Sequence, residues 1–292
     1  VFFFFFNEKT VNYDIPLTYL AQGNPGTDFK FLTINDYTFI LNRTKVTSMG
    51  TDTSPAKRYD RMVFIKQASY STTYNIAING VQVATHTTPS NDDEGQYKLS
   101  STDIASDLLT QVQAAGYSAA MAKSTITIYS TVDIAVVATD SRSNTHIVDI
   151  ADKIQTFSHL PTVAQDGFIV EIMGDQSSNF DNYFVKFNAS NPGNISDGVW
   201  EEVVQPGILI NLDPTTMPHQ LVRNPDGSFT YGLVEWNERI AGDDENYPPP
   251  SFVGRKINNL IFYSNRLGFL SEDSVILSAA SEFFMFFVST AT

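Results

Sequence analysis

Cysteine is absent from this 292-residue chain, which excludes disulfides and thiolate metal sites. Cations are scarce: 18 Lys and Arg stand against 32 Asp and Glu, a net charge of −14. Sequence-independent DNA affinity comes from Lys and Arg neutralising phosphates, so this balance argues against a surface that grips DNA. Long apolar runs are missing as well. The aromatic run at residues 2–6 meets Asn7 and Glu8 far too soon for a membrane-spanning helix. It has no basic segment ahead of it, so it does not read as a signal peptide but as a buried strand. The histidines His86, His146, His159 and His219 stand far apart, without metal-ligand spacing. No Gly-x-Ser-x-Gly elbow and no phosphate-binding loop are present.

What remains is rich in aromatic and β-branched residues, the composition of half-buried pleated surfaces. The segments 29–34 and 37–41 read as strands joined at Asn35-Asp36, a pair suited to turns. Residues 60–142 read as a small α/β unit. Its strands at 74–78 and 81–85 flank Asn79-Gly80, a strong hairpin signal because both turn positions need positive φ. A polar stretch at 89–95 follows. Thr102 is placed to cap a helix whose apolar residues Ile104, Leu108 and Val112 recur every four, with Gly116 as its stop. Strands at 125–130 and 134–139 complete an order ββαββ, which predicts one antiparallel sheet with a helix packed on it.

Beyond residue 167 the pattern returns to short strands, at 168–173 and 183–188, with Asp166-Gly167, Asp197-Gly198 and Asp226-Gly227 as turn signals. Residues 254–287 predict a strand and then a hairpin through Glu272-Asp273, with Phe262, Leu267, Phe269, Val275 and Leu277 buried on a common face. Short strands at this spacing fit a sandwich, a barrel or a propeller, and periodicity does not choose among them.

The carboxylate clusters carry little chemistry. Asp243-Asp244-Glu245 offers hard oxygens suited to Ca²⁺ or Mg²⁺, but EF-hand spacing and its loop glycine are absent, so it reads as a solvated acidic loop. Asp92-Asp93-Glu94 reads the same way. Glu201 and Glu202 are adjacent and point to opposite faces of any strand, which does not make the facing pair that glycoside hydrolysis requires.

One set of motifs goes further. Pro248, Pro249 and Pro250 lead through a strand at 257–263 to Asn265-Arg266-Leu267-Gly268-Phe269-Leu270, an acidic turn, the apolar segment 275–278 and an aromatic run at 283–287. Upstream stand Asp36 to Arg43 (DYTFILNR), Leu212 to Arg223 (LDPTTMPHQLVR), which contains His219, and Trp236, Arg239 and Ala241-Gly-Asp-Asp244. In this order the blocks resemble the tail tubular protein B, or nozzle, family of short-tailed bacteriophages. The segment 285–288 departs from the family pattern and carries no functional weight here.

The resemblance implies a mainly β chain, with a propeller-like or barrel-like antiparallel core and the ββαββ unit inserted. The corresponding domains are 1–59, 60–142 and 143–292. Because the chain opens on Val1 and the family protein is longer, the expectation is an internal piece. The resemblance further implies a virion tail subunit without enzymatic activity, metal or cofactor. It implies a homo-oligomeric ring, a hexamer, below an adaptor ring of tail tubular protein A that anchors tail fibres. Double-stranded DNA would pass through without specific binding, and the host surface would be within reach.

Candidate residues for subunit contact are Asp243, Asp244, Glu245, Pro248, Pro249 and Pro250, since three consecutive prolines hold a loop extended at low entropic cost. Asn265, Arg266, Leu267, Gly268, Phe269, His219, Trp236 and Arg239 are expected to hold the fold. In this reading Arg266 would bond a carboxylate or carbonyls, and Gly268 would mark a bulge or a close backbone approach. The 13% aromatic content leaves two rivals open: a module binding surface carbohydrate through stacked Tyr and Trp, and an enzyme degrading that polysaccharide.

Overall fold

A computed structural model describes residues 9–90, 99–174 and 182–291. The run at 2–6 and the cluster Asp92-Asp93-Glu94 lie outside the described residues. The described residues form many short strands and one long helix, so the chain is mainly β. No described helix is long and apolar enough to cross a membrane. Two compact units emerge: residues 1–55 with 205–290, and residues 56–204 with 291–292.

The first unit is built on a five-stranded sheet in the order Val11–Tyr13, Phe229–Gly232, His219–Arg223, Tyr37–Asn42, Phe29–Ile34. Its pairs are antiparallel except Val11–Tyr13, which runs parallel to Phe229–Gly232. Asn35 sits at φ 54° in the turn that the sequence signals. Phe39, Ile40 and Leu41 are all buried, so this strand is covered on both faces and reads as a continuous apolar run. Phe39 and Leu41 join a cluster with Trp236, Phe252, Leu267, Phe269 and Phe286. Ile40 joins another with Tyr19, Phe29, Leu221 and Tyr231. Met285, Phe286 and Phe287, in the segment that departs from the family pattern, are buried core residues.

The same unit contains a three-stranded antiparallel meander, Asn259–Tyr263, Arg266–Ser271 and Ser274–Leu277. Its two turns place Ser264, Asn265 and Glu272 at φ 48°, 58° and 49°. Leu267 and Phe269 are fully buried, as predicted, but Val275 is 60% exposed and Phe262 42% exposed. The register explains the departure at Val275, and position in the sheet the one at Phe262. Phe269 pairs with Ile276, whereas Val275 pairs with Leu270 and Leu277 with Gly268, on the opposite face. Val-Ile-Leu is apolar throughout, so the sequence carries no alternation there to select the inward residue. Phe262 is opposite Leu267 but at the sheet margin, where its ring meets Phe283 edge-on at 5.4 Å.

Leu267→Ala is therefore expected to lower stability by about 2–5 kcal/mol, and Val275→Ala by less than about 0.5 kcal/mol. Urea unfolding of both variants checks this, and equal losses would place the register elsewhere.

The second unit holds three sheets. Thr73–Ile78 lies between Val81–Thr87 and Val136–Asp140, all antiparallel. Asn79 and Gly80 take φ 51° and 80°, as the hairpin signal requires. A four-stranded antiparallel sheet runs Ile147–Ile150, Arg61–Ile65, Thr125–Ile128, Ala119–Ala122. The single sheet predicted from ββαββ is thus two sheets, and Ala119–Ala122 is a strand that its alanine-rich sequence conceals. The helix Ser101–Ala114 buries Ile104, Ala105, Leu108 and Val112 in a core with Tyr74, Ile76, Ile126 and Ile128. Its cap is Ser100, whose Oγ accepts from the Asp103 backbone at 3.1 Å, not Thr102. Gly116 ends it at φ 90°.

The third sheet orders Lys153–Ile154, Ile169–Ile172, Tyr183–Ala189, Ile195–Val203, Val163–Gln165. Asp197-Gly198, predicted as a turn, lies inside its longest strand. A Cβ on Gly198 would sit 2.3 Å from the Asn188 carbonyl oxygen, so glycine is required there by close backbone approach rather than by a turn.

Candidate contact loop and motif residues

Arg239 organises the segment that carries most of the candidate contact residues. Its side chain is almost fully buried, and its guanidinium donates to Asp244 Oδ1 at 2.6 Å, to the Tyr247 carbonyl at 2.5 Å and to the Asp243 carbonyl. A planar fork of five donors suits several acceptors arranged around it. Its backbone N–H donates to the Ile210 carbonyl at 2.7 Å, which ties the segment to the rest of the unit. Asp243 turns inward and accepts from the backbone of Glu245 at 2.8 Å and of Asn246 at 2.6 Å. Gly242 takes φ 79°, and a Cβ on it would lie 2.8 Å from Tyr247 Cβ.

The acidic cluster is therefore not a uniformly solvated loop. Asp243 is a buried cap, while Asp244, Glu245 and Pro248 are exposed and Pro249 and Pro250 are half-buried. Among the described residues no three His, Asp or Glu converge as a metal-holding group.

The motif at 265–269 divides by face. Asn265 forms the turn and donates Nδ2 to Ser281 Oγ at 2.6 Å. Arg266 is half-buried, and its guanidinium reaches the Ser278 carbonyl at 3.4 Å, a weak contact. The Leu267 backbone exchanges bonds with Ser278, donating to Oγ at 3.1 Å and accepting from N at 2.8 Å. Gly268 lies between Ile261 and Leu277, where a Cβ would come within 2.7 Å and 2.6 Å of their side chains. That is a close approach within the regular ladder, not a bulge. Trp236 meets Phe269, Phe284 and Phe286 edge-on, with ring centroids 5.8–5.9 Å apart, a favoured aromatic geometry.

His219 is buried in the five-stranded sheet. Its ring stacks on Tyr19 at 3.6 Å, and Nδ1 lies 2.6 Å from the Tyr231 hydroxyl. Burial disfavours the imidazolium and pulls its pKa down to about 4, and burial raises both tyrosine hydroxyls well above their ordinary value. The unfolded chain, with histidine near 6.5, takes up this proton first as pH falls. The stabilisation from a neutral His219 is thus complete above pH 6.5 and is lost as pH falls toward 4. Between pH 7.5 and 4.5 the wild type is expected to lose about 2–3 kcal/mol more than His219→Gln, by urea unfolding at each pH. Identical losses would show that His219 does not titrate as a buried neutral group.

The remaining candidates stay apart. Glu201 and Glu202 lie on opposite faces of Ile195–Val203, the first accepting from Asn188 Nδ2 at 2.5 Å and the second from the Ala291 backbone at 2.6 Å. His86 pairs with Asp107 at 2.8 Å, and His146 Nε2 lies 3.1 Å from Ser69 Oγ. Sequence reading missed Asp140, whose carboxylate accepts from the backbones of Arg142, Asn144, His146 and Ile147 at 2.7–3.1 Å. Burial alone would raise its pKa, but these donors outweigh it and hold the carboxyl below the usual range. The only sequence signal was the polar run Asp-Ser-Arg-Ser-Asn after a strand.

The model of the bacteriophage nozzle protein family matches residues 1–292. The chain is 31% identical over 293 residues to the tail tubular protein gp12 of Escherichia phage T7, an alignment covering 96% of this chain and 36% of the relative. The chain thus spans about a third of that relative's length.

Proposed function

The chain belongs to the bacteriophage nozzle protein family and is a structural component of the virion tail, and from that premise we propose that it is a ring-forming subunit through which the genome leaves the particle. The match of the family over the whole chain carries this reading. The proposed assembly is a hexamer below an adaptor ring of tail tubular protein A, supporting tail fibres and acting without catalysis. Its electrostatics fit passage rather than grip. Eight of the 18 basic residues are engaged in ion pairs among the described residues, Arg58 with Asp60 and Arg255 with Glu272 among them. Paired cations offer phosphates few sticking points, and the net charge of −14 repels them.

Ring closure needs two different surfaces that match between neighbours. We assign these to residues 60–142, acting as an inserted module, and to the exposed part of the Arg239-centred loop, Asp244, Glu245 and Pro248. The function is tested by duplex binding at physiological salt. The expected result is no complex below about the non-specific range of 10⁻⁴–10⁻⁶ M. Submicromolar binding to one sequence would overturn the passage reading. Release of reducing sugar from host polysaccharide, lost on substituting one carboxylate, would overturn the non-catalytic one.

A further inference from the structure

The outward face of the meander departs from the polar surface that a solvated sheet face normally shows. Ile261, Tyr263, Leu270, Val275 and Leu277 point away from the face that buries Leu267 and Phe269. None of the five joins a core cluster, and Tyr263 is 67% exposed and Val275 60%. Ile261 and Leu277 close over Gly268, which makes the patch continuous, and a continuous exposed apolar patch marks a contact surface. Arg266 stands on the same face, directly across from Tyr263. Beside it a groove of about 370 Å³ runs between Leu277, Ser278 and the segment 285–290, and Arg266 is its only charged lining residue among the described residues. Its Nη1 makes the weak 3.4 Å contact with the carbonyl of Ser278, in the groove wall. Its Nε and Nη2 have no partner and are not enclosed. A cation set among apolar side chains with two nitrogens free calls for a carboxylate, which a guanidinium binds through two parallel bonds.

The chain itself carries a segment of the matching kind. Glu245 is exposed, and its carboxylate has no ion pair or side-chain hydrogen bond among the described residues. The exposed Pro248 and the half-buried Pro249 follow it, and Arg239 fixes the base of the loop from inside. A fixed loop with a free carboxylate and an apolar tip complements a free guanidinium in an apolar rim, in charge and in polarity. We propose that this loop of one copy seats on the outward meander face of the next, with Glu245 on Arg266 and Pro248 on the apolar rim at Tyr263 and Leu277. A loop received by a different surface is a head-to-tail contact, the kind that rotation closes into a ring. The inference rests on the ring reading and names the seat of the loop that reading assigns to subunit contact.

The chain contains no cysteine, so single introduced cysteines report contacts between copies. Purified Pro248→Cys and Tyr263→Cys proteins are mixed and treated with a short bismaleimide, which leaves Glu245 and Arg266 in place. The expected result is a cross-linked product joining the two variants. It should be absent when Val199→Cys, a position 57% exposed in the other unit, replaces Tyr263→Cys. Adding Glu245→Arg to the first variant should lower the yield about tenfold or more. Adding Arg266→Glu to the second should then restore it, which separates loss of charge pairing from loss of fold. No product above the Val199→Cys control at up to about 1 mM protein, or a yield unchanged by Glu245→Arg, overturns the proposal. The mass of the untreated mixture keeps the two readings apart. A closed oligomer without the product refutes this seat and leaves the ring standing, whereas the product without a closed oligomer supports the seat and counts against the ring.

Discussion

Arg239→Ala is expected to lower the stability of the first unit by about 3–5 kcal/mol, the range for breaking a buried charged network by removing one partner. The loss has identifiable parts. The carbonyls of Asp243 and Tyr247 lose the guanidinium that satisfies them, and an unpaired buried acceptor costs about 1–3 kcal/mol. The ion pair itself contributes little, because Asp244 is 56% exposed and water can replace its partner. Asp244→Asn is therefore expected to cost less than about 1 kcal/mol, and Arg239→Lys to lose most of what alanine loses, since an ammonium cannot span acceptors placed for a fork. Denaturant unfolding read by Trp236 fluorescence in a W200F background reports on the unit concerned. A loss below about 1 kcal/mol for Arg239→Ala would mean that the loop holds its shape without the guanidinium.

Phe269→Ala is expected to cost about 3–5 kcal/mol in the same unit. Phe269 is fully buried, stacks on Phe286 at 4.4 Å, and meets Phe252 edge-on at 5.2 Å and Trp236 at 5.8 Å. Four rings from the meander, the Pro-rich loop's continuation, the Trp236 segment and the aromatic run at 283–287 thus meet at one residue. Truncation leaves a cavity that four separate segments would have to close together. Phe262→Ala, at the exposed margin of the same sheet, is expected to cost less than about 1 kcal/mol, as substitutions away from the core do. Equal losses at the two positions, measured by the same unfolding transition, would contradict the packing described here.

Local signals were legible where one residue type answers one geometric demand. Asn79-Gly80 met positive φ at both positions, and the four-residue recurrence of Ile104, Leu108 and Val112 marked the buried face of the only long described helix. Legibility failed where a pattern was ambiguous or the partner was distant. Val275-Ile276-Leu277 offers three apolar residues for one inward position, and only the register with Phe269 chooses Ile276. Gly198 looked like a turn because its constraint comes from Asn188 on the neighbouring strand. The motif residues around Asn265–Phe269 were visible as a family pattern, but their roles were not. Asp243 looked solvated because an acidic run carries no sign that its first carboxylate turns inward to cap Glu245 and Asn246.

The proposed role is tested most directly by electron cryomicroscopy of the intact tail, at a resolution that traces strands. The expected image is a closed ring around the tail axis, with an axial opening wide enough for a duplex and this fold repeated in every subunit. In it, residues 60–142 or the Asp244–Pro248 stretch touch an adjacent copy or the ring above. A tail in which this fold occurs as single copies away from the axis, or in which both features face bulk solvent in every copy, would contradict the assignment.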